Sequence, residues 1–146
     1  MAVKPTIHVA VYFSAPIRGE KGSNASQKEM DENIKSAKKM ALRVKEYFGT
    51  LLDMYVPHDQ DELIQILWHS KKISVWDILE GDCKIVAQRS ILLVWARDGF
   101  FSTGMGREMK TAEENGVPII QFDEFNDEVV CKILTEINKV VFKDKP

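Results

Sequence analysis

The chain has 146 residues, of which 45% are apolar and 29% charged, and its 20 Lys and Arg against 22 Asp and Glu leave a formal charge of −2. A chain of this size buries enough surface for one globular domain over residues 1–146, and its composition excludes disorder, collagen-like repeats and a disulfide scaffold. The near-neutral balance also argues against a dedicated nucleic-acid-binding protein, which usually carries a basic excess.

The two cysteines indicate the redox environment. Cys83 and Cys131 lie far apart, with no other Cys or His at metal-ligand spacing. They predict two buried free thiols, and they support neither a zinc site nor a disulfide framework. The apolar run near the N-terminus is too short to cross a bilayer. We therefore expect a cytoplasmic protein that has no metal and no membrane partner.

The first half of the chain predicts one strand, one helix, another strand and two further helices. The β-branched and aromatic run 7–13 is typical of a buried strand. Residues 25–48 have apolar positions at three- and four-residue steps, which predicts an amphipathic helix that Gly49 ends. Residues 50–56 predict a second strand, and residues 59–70 and 73–89 predict helices.

The second half continues the alternation of strands and helices. The apolar run 90–96 is typical of a central parallel strand, and a loop over 97–103 leads to a helix over 104–115. Residues 117–122 predict another strand and residues 126–142 a closing amphipathic helix. This alternation predicts an α/β fold, with a parallel sheet covered on both faces and ligands bound beyond the carboxyl ends of its strands.

Asp82 is the first residue that a purely structural interpretation does not explain. In a helix over 73–89 it shares a face with Ile78 and Leu79 one turn before it and with Ile85 and Val86 one turn after it. A buried carboxylate needs a partner or a cavity, because burying it unpaired costs several kcal/mol or raises its pKa. The alternative is that Gly81 ends a first helix and Asp82 caps a second one.

Glu108 is the second such residue, in the first turn of a helix predicted to begin at Gly104. The positive end of the helix dipole favours the ionised form of Glu108, and the end of a central strand is where open α/β sheets bind ligands. The alternative is that Glu108 only stabilises its own helix. The loop 101–106 offers hydroxyls, glycines and free N–H groups for an anion, and Arg18 follows the first strand in a parallel position.

Three aromatic side chains are candidates for stacking on a nucleobase. Tyr12, Trp76 and Trp95 lie in predicted strands and helices. An aromatic side chain in a small domain is more often part of the core, and that alternative stays open for all three.

Several segments together resemble the nucleoside 2-deoxyribosyltransferase superfamily, most closely the 2'-deoxynucleoside 5'-phosphate N-hydrolases and related enzymes that cleave cytidine monophosphates. The resemblance rests on the segment 12–19, on Asp82 eight residues before the central strand, on the segment 102–112 and on the strand that begins at Val117. It covers nearly the whole chain in order. The register of Gly104, Gly106, Glu108 and Ala112 is its most specific part.

The resemblance implies a fold and a role for each site residue. The fold would be a flavodoxin-like (Rossmann-like) three-layer sandwich with a five-stranded parallel sheet. Glu108 corresponds to the nucleophile that attacks the anomeric carbon, and Asp82 to the acidic residue that serves the leaving base. The residues implied to bind the nucleotide or its phosphate are Tyr12, Ser14, Ile17, Arg18, Gly19, Ser102, Gly104 and Gly106. Two positions depart from the pattern: Pro16 stands where these hydrolases often carry Ser, and Arg107 replaces an aromatic residue.

The sequence therefore predicts a nucleoside 5'-monophosphate N-glycosidase without a cofactor. Cleavage of an N-glycosidic bond needs an anionic group near C1' and a proton source near the base, and two carboxyls in unequal environments meet both needs. On this prediction the helix end keeps Glu108 ionised, and apolar neighbours raise the pKa of Asp82. The alternatives are a deoxyribosyltransferase, in which a second base captures the intermediate, and a non-catalytic nucleotide-sensing module. By resemblance we also expect a homodimer or higher homo-oligomer.

Overall fold

Four parallel strands form the centre of the computed structural model, which describes residues 8–16 and 24–142. Five α-helices lie between and after them. In chain order the elements are β1 (Val9–Ser14), α1 (Gln27–Phe48), β2 (Leu52–Tyr55), α2 (Asp61–His69), α3 (Val75–Ala87), β3 (Ile91–Trp95), α4 (Thr103–Glu114), β4 (Ile119–Phe122) and α5 (Asp127–Phe142). Short 3-10 turns occupy Gly49–Leu51, Pro57–Gln60 and Arg97–Gly99.

The strands are ordered β2-β1-β3-β4, and every pair is parallel. This confirms the α/β class with a parallel sheet. The fifth strand that the resemblance implied is not found within residues 8–16 and 24–142. Those residues contain four β-like runs, and the segment after β4 has its apolar residues at helical spacing, so it forms α5.

Helices cover both faces of the sheet, as the sequence predicts. Alternate residues of a strand point to opposite faces, so Val11 and Phe13 pack under α1 and α5 while Tyr12 packs under α3 and α4. The cluster under α3 and α4 is the smaller of the two, and its buried members are Tyr12, Val86, Leu92, Val94, Met105, Ala112 and Val117. Two separate cores therefore lie on either side of one sheet.

Polar caps set the starts of the helices one or two residues from the predicted positions. The Ser26 hydroxyl accepts a hydrogen bond of 3.1 Å from the Glu29 amide and caps the start of α1. Ser74 and Asp77 form a reciprocal capping box that begins α3. Gly49, with φ of 58°, ends α1 as predicted, because glycine adopts this left-handed conformation without steric cost.

The cysteines only partly match their prediction. Both thiols are free, but Cys131 is exposed and Cys83 is half-buried. The prediction that both are buried is therefore wrong: Cys131 lies on the outer side of α5, whereas Val130 and Ile133 of the same helix face the core. None of the helices in the described part of the chain is long and apolar enough to cross a membrane.

Candidate active site

The candidate site lies on the α3 and α4 side of the sheet, near the carboxyl ends of its strands. α4 leads from β3 to β4, and α3 follows α2 and ends just before β3. The N-terminus of each therefore lies toward the edge of the sheet where the strands end, here called the carboxyl edge. The Ser102 hydroxyl accepts a hydrogen bond of 3.2 Å from the Met105 amide and caps α4 at this edge. The sheet topology therefore places the candidate side chains where α/β sheets bind ligands.

Glu108 is buried, with 7% of its surface exposed, in a fold that leaves few charged groups inside. The hydroxyl of Ser14, the last residue of β1, donates a hydrogen bond of 3.0 Å to Glu108 Oε1. The two residues are 94 positions apart in the chain. The structure thus brings together two of the predicted site residues in one buried contact.

The predicted electrostatics of Glu108 are wrong. Because Ser102 is the N-cap, α4 begins at Thr103 and Glu108 lies in the second turn, where the effect of the helix dipole has faded. Burial raises the pKa of Glu108 to about 7, although the nearby Tyr12 hydroxyl and the Ser14 hydrogen bond partly oppose the rise. The alternative that Glu108 only stabilises the first turn of its own helix fails for the same reason.

Asp82 lies within α3, which continues through Gly81 without a break. The alternative that Asp82 caps a second helix is therefore wrong. The side chain is half-buried, and burial raises its pKa to about 6. It makes no hydrogen bond or ion pair with any described residue, but its charge raises the pKa of Glu108. The two carboxyls are thus close enough to repel each other, and Glu108 is not the partner that the sequence analysis expected for Asp82.

Tyr12 closes the site from the sheet side. Its ring is fully buried, and its hydroxyl has no fully formed hydrogen bond with a described residue, although it lies close enough to the Glu108 carboxyl to interact with it. Burial, followed by the charges of Glu108 and Asp82, holds the pKa of Tyr12 well above its usual value. Tyr12 is therefore a neutral phenol beside the carboxyl pair.

Tyr55 is a site residue that the sequence analysis missed. It ends β2, pairs with Tyr12 in the parallel register, and its ring lies 5.5 Å from that of Tyr12. Burial raises the pKa of Tyr55, and Asp82 adds to the rise while Arg89 opposes it. Its position at the end of a strand was the available signal, but only the register with β1 shows which side chain it faces.

Arg107 and Trp76 form a second group that the sequence analysis did not connect. The Arg107 guanidinium lies 4.4 Å from the centre of the Trp76 ring, and that ring is 66% exposed. Trp95, in contrast, is 8% exposed and donates its ring N–H to the Asp123 carbonyl at 2.8 Å. The core interpretation therefore holds for Trp95 and fails for Trp76.

The glycines of α4 differ in their surroundings. A Cβ atom on Gly104 would lie 3.2 Å from Leu79 Cδ2, so this glycine allows α3 and α4 to approach closely. A Cβ atom on Gly106 would meet nothing within 4 Å.

The remaining predicted site residues, Ile17, Arg18 and Gly19, lie outside the described residues. Within residues 8–16 and 24–142 no group of three His, Cys, Asp or Glu could hold a metal ion.

Comparisons of the chain with protein families, curated proteins and solved structures found no match. A functional assignment therefore depends on the chemistry that these side chains can perform.

Proposed function

We propose that this protein hydrolyses the N-glycosidic bond of a (deoxy)nucleoside 5'-monophosphate, giving a free base and (deoxy)ribose 5-phosphate. The observation that carries the proposal is the buried Glu108 carboxyl, which the Ser14 hydroxyl holds at 3.0 Å and whose pKa the charge of Asp82 raises. Hydrolysis of a glycosidic bond typically uses two interacting carboxyl groups in a desolvated site.

In the first step, the Glu108 carboxylate attacks C1' of the sugar while the bond from C1' to the base nitrogen breaks. Asp82 donates its proton to the departing base, which leaves as a neutral molecule. The products of this step are a glycosyl ester on Glu108 and an ionised Asp82. The Ser14 hydrogen bond fixes the orientation of the nucleophile before substrate arrives.

In the second step, water cleaves the glycosyl ester. The Asp82 carboxylate takes a proton from the water as its oxygen bonds to C1', and the Glu108 carboxylate is released. The sugar phosphate departs, and both carboxyls return to their initial states. Asp82 thus acts first as an acid and then as a base, as microscopic reversibility requires of a retaining mechanism.

The raised pKa values define when this chemistry can run. The carboxyl pair titrates near pH 6 and pH 7. Below this window both groups are protonated and no nucleophile exists, and above it both are ionised and no acid exists. Within it the pair holds one proton, and the higher pKa of Glu108 favours that proton on Glu108. The reactive form, with Glu108 ionised and Asp82 protonated, is therefore the less populated arrangement of the same proton and forms when the proton moves from Glu108 to Asp82. We expect the turnover rate to rise and then fall with pH, with its maximum inside this window.

Residues at the carboxyl edge of the sheet support the binding of a phosphate group. The Ser102 hydroxyl accepts the Met105 amide and keeps its own hydrogen free to donate to a phosphate oxygen. The resemblance adds Arg18, with Ile17 and Gly19 beside it, and the glycines of α4. This set favours a monophosphate over a free nucleoside as substrate.

The test is to incubate the protein with a panel of ribo- and deoxyribonucleoside monophosphates and to measure released base by chromatography. Glu108→Gln removes the nucleophile but keeps an oxygen for the Ser14 hydrogen bond, and we expect it to abolish base release. Glu113→Gln, an exposed change on the same helix, is the matched control. Near-normal turnover by the E108Q variant would contradict the proposal.

Two other outcomes would assign a different function. Formation of a new nucleoside when a competing base is added would indicate a deoxyribosyltransferase. Tight nucleotide binding with no turnover of any substrate in the panel would indicate a nucleotide-sensing module.

A further inference from the structure

Arg107 carries a positive charge that no other described residue neutralises. No carboxylate within residues 8–16 and 24–142 pairs with it, whereas Arg89, the other arginine near the site, lies 3.9 Å from the Asp53 carboxylate. Arg107 is half-buried and directly precedes Glu108 in α4. A guanidinium without a carboxylate partner is available to pair with an anionic group of a ligand.

The indole of Trp76 fixes where that charge lies. The guanidinium is 4.4 Å from the ring centre, closer than in the three other such contacts of the described residues, which span 5.5 to 6.0 Å. Helical side chains point back toward the N-terminus of their helix, so Arg107 extends toward the first turn of α4. Stacking on the ring leaves the N–H edges of the guanidinium available for a ligand.

The pair lies at the carboxyl edge, above the carboxyl groups. Trp76 is the second residue of α3, and Asp82 is six residues further along the same helix, which corresponds to an offset of about 9 Å along the helix axis. The Trp76 ring is 66% exposed, so its neighbourhood is open to solvent and to ligands. A charged group held there can contact one end of a substrate whose reacting carbon lies deeper, beside Glu108.

We infer that Arg107, held in place by Trp76, binds the phosphate group of the substrate at the mouth of the site. The inference rests on the proposed function and adds to it a phosphate-binding residue on α4. A planar guanidinium can donate two parallel hydrogen bonds to a phosphate, which gives both affinity and orientation. Trp76 acts as a positioning residue, because it lowers the number of conformations that Arg107 must lose on binding.

The test measures binding of ribose 5-phosphate and of ribose by calorimetry, which requires no turnover. Arg107→Ala should weaken binding of ribose 5-phosphate by about 10- to 100-fold and leave binding of ribose unchanged. Arg107→Lys keeps the charge but lacks the planar guanidinium, so its affinity for ribose 5-phosphate should lie between those of the wild type and R107A. Lys110→Ala, an exposed change one turn further along α4, is the matched control and should resemble the wild type.

Trp76 is tested in the same assay. Trp76→Ala should weaken binding of ribose 5-phosphate less than R107A does, and Trp76→Phe should restore most of the loss because a phenyl ring still supports the guanidinium. Trp68→Ala, at an exposed tryptophan on α2, controls for loss of an indole. In the double variant, W76A should add little to R107A, because both changes remove the same contact.

Activity measurements separate this inference from the proposed function. The ratio of kcat/KM for a monophosphate to that for its nucleoside should fall in R107A. Three results would overturn the inference. The first is an equal loss of ribose 5-phosphate affinity in R107A and K110A, and the second is an unchanged ratio of kcat/KM values in R107A with an altered choice of base. The third is equal affinity of the wild type for ribose and ribose 5-phosphate. If no nucleotide is cleaved but ribose 5-phosphate binding still depends on Arg107, the phosphate site stands and the proposed reaction fails.

Discussion

Glu108 illustrates a competition between two electrostatic effects at one residue. A helix N-terminus stabilises an ionised carboxyl by typically 0.3–1 kcal/mol, and only within the first turn. Burial of the carboxyl acts in the opposite direction and raises its pKa to about 7 from 4.5, a change that corresponds to about 3 kcal/mol. Burial prevails because the cap at Ser102 places Glu108 beyond the reach of the dipole and against the sheet.

The raised pKa makes the stability of the protein depend on pH. The folded state binds the Glu108 proton more tightly than the unfolded state, so this contribution is fully present below about pH 4.5 and is lost as pH rises through about 7. Glu108→Gln has no proton to lose. We expect urea unfolding to show E108Q more stable than the wild type by about 3 kcal/mol at about pH 8, with the difference vanishing near pH 4.5.

The control for this prediction is Glu113→Gln on the exposed side of α4. It should leave the pH dependence of the free energy of unfolding unchanged. A difference between E108Q and the wild type that is the same at both pH values would show that Glu108 does not titrate with a raised pKa.

At the scale of the elements, the packing of α3 against α4 sets the geometry of the carboxyl pair. Asp82 belongs to one helix and Glu108 to the other, and Gly104 lets Leu79 of α3 approach the backbone of α4. A Cβ atom at position 104 would force the Leu79 side chain to move by a few tenths of an ångström. The glycine pattern of α4 is therefore explained in part by helix packing.

Substitutions at the two glycines of α4 should differ in their effect on stability. Alanine is favoured over glycine in a helix by about 0.5–1 kcal/mol. Gly106→Ala should gain about this amount, because nothing lies within 4 Å of the new Cβ. Gly104→Ala should gain less or lose stability, because its Cβ would lie 3.2 Å from Leu79 Cδ2. Chemical unfolding of both variants measures the difference.

A double-mutant cycle identifies the cause. Leu79→Ala in the G104A background removes the crowding, so the free energies of the two single changes should not add. Additive effects would show that Gly104 is not needed for the approach of α3.

At the scale of the whole molecule, the sheet separates a structural core from the core that carries the site. The cluster under α1 and α5 contains none of the candidate active-site side chains, whereas the cluster under α3 and α4 includes Tyr12. Mutations on the two sides of the sheet should therefore have different consequences for stability and for the proposed activity.

Ile133→Ala and Met105→Ala test this division. Both side chains are almost fully buried, and each truncation should cost about 2–5 kcal/mol in the free energy of unfolding. Ile133 belongs to α5, on the other side of the sheet from the candidate site, so I133A should leave kcat for the proposed reaction unchanged in the folded protein. Met105 packs in the cluster of Tyr12, so M105A should also lower kcat. Equal effects of the two variants on kcat would contradict the separation of the cores.

Much of this protein is determined by the sequence alone. Apolar runs predict the four strands of the described residues, and apolar positions at three- and four-residue steps predict their five helices, since buried strands are continuously apolar and side chains recur at each helical turn. The same patterns single out Asp82 as a carboxyl on an apolar helix face, and they single out Glu108 by its place in the helix that follows a central strand. Caps at Ser26, Ser74 and Ser102 shift the helix starts by one or two residues, because local hydrogen bonds decide where the first turn begins.

Only the tertiary structure decides which of these residues meet. The Ser14 hydrogen bond to Glu108, the ring contact of Tyr12 with Tyr55 and the stacking of Arg107 on Trp76 all join residues that are distant in the chain. Sequence periodicity predicts on which face of a helix or strand a side chain lies. It does not predict which side chain of another element it contacts, because that depends on strand order and helix packing. The pKa of Glu108 follows the same principle, because a carboxyl responds to its burial and its neighbours in space rather than to its position along a helix.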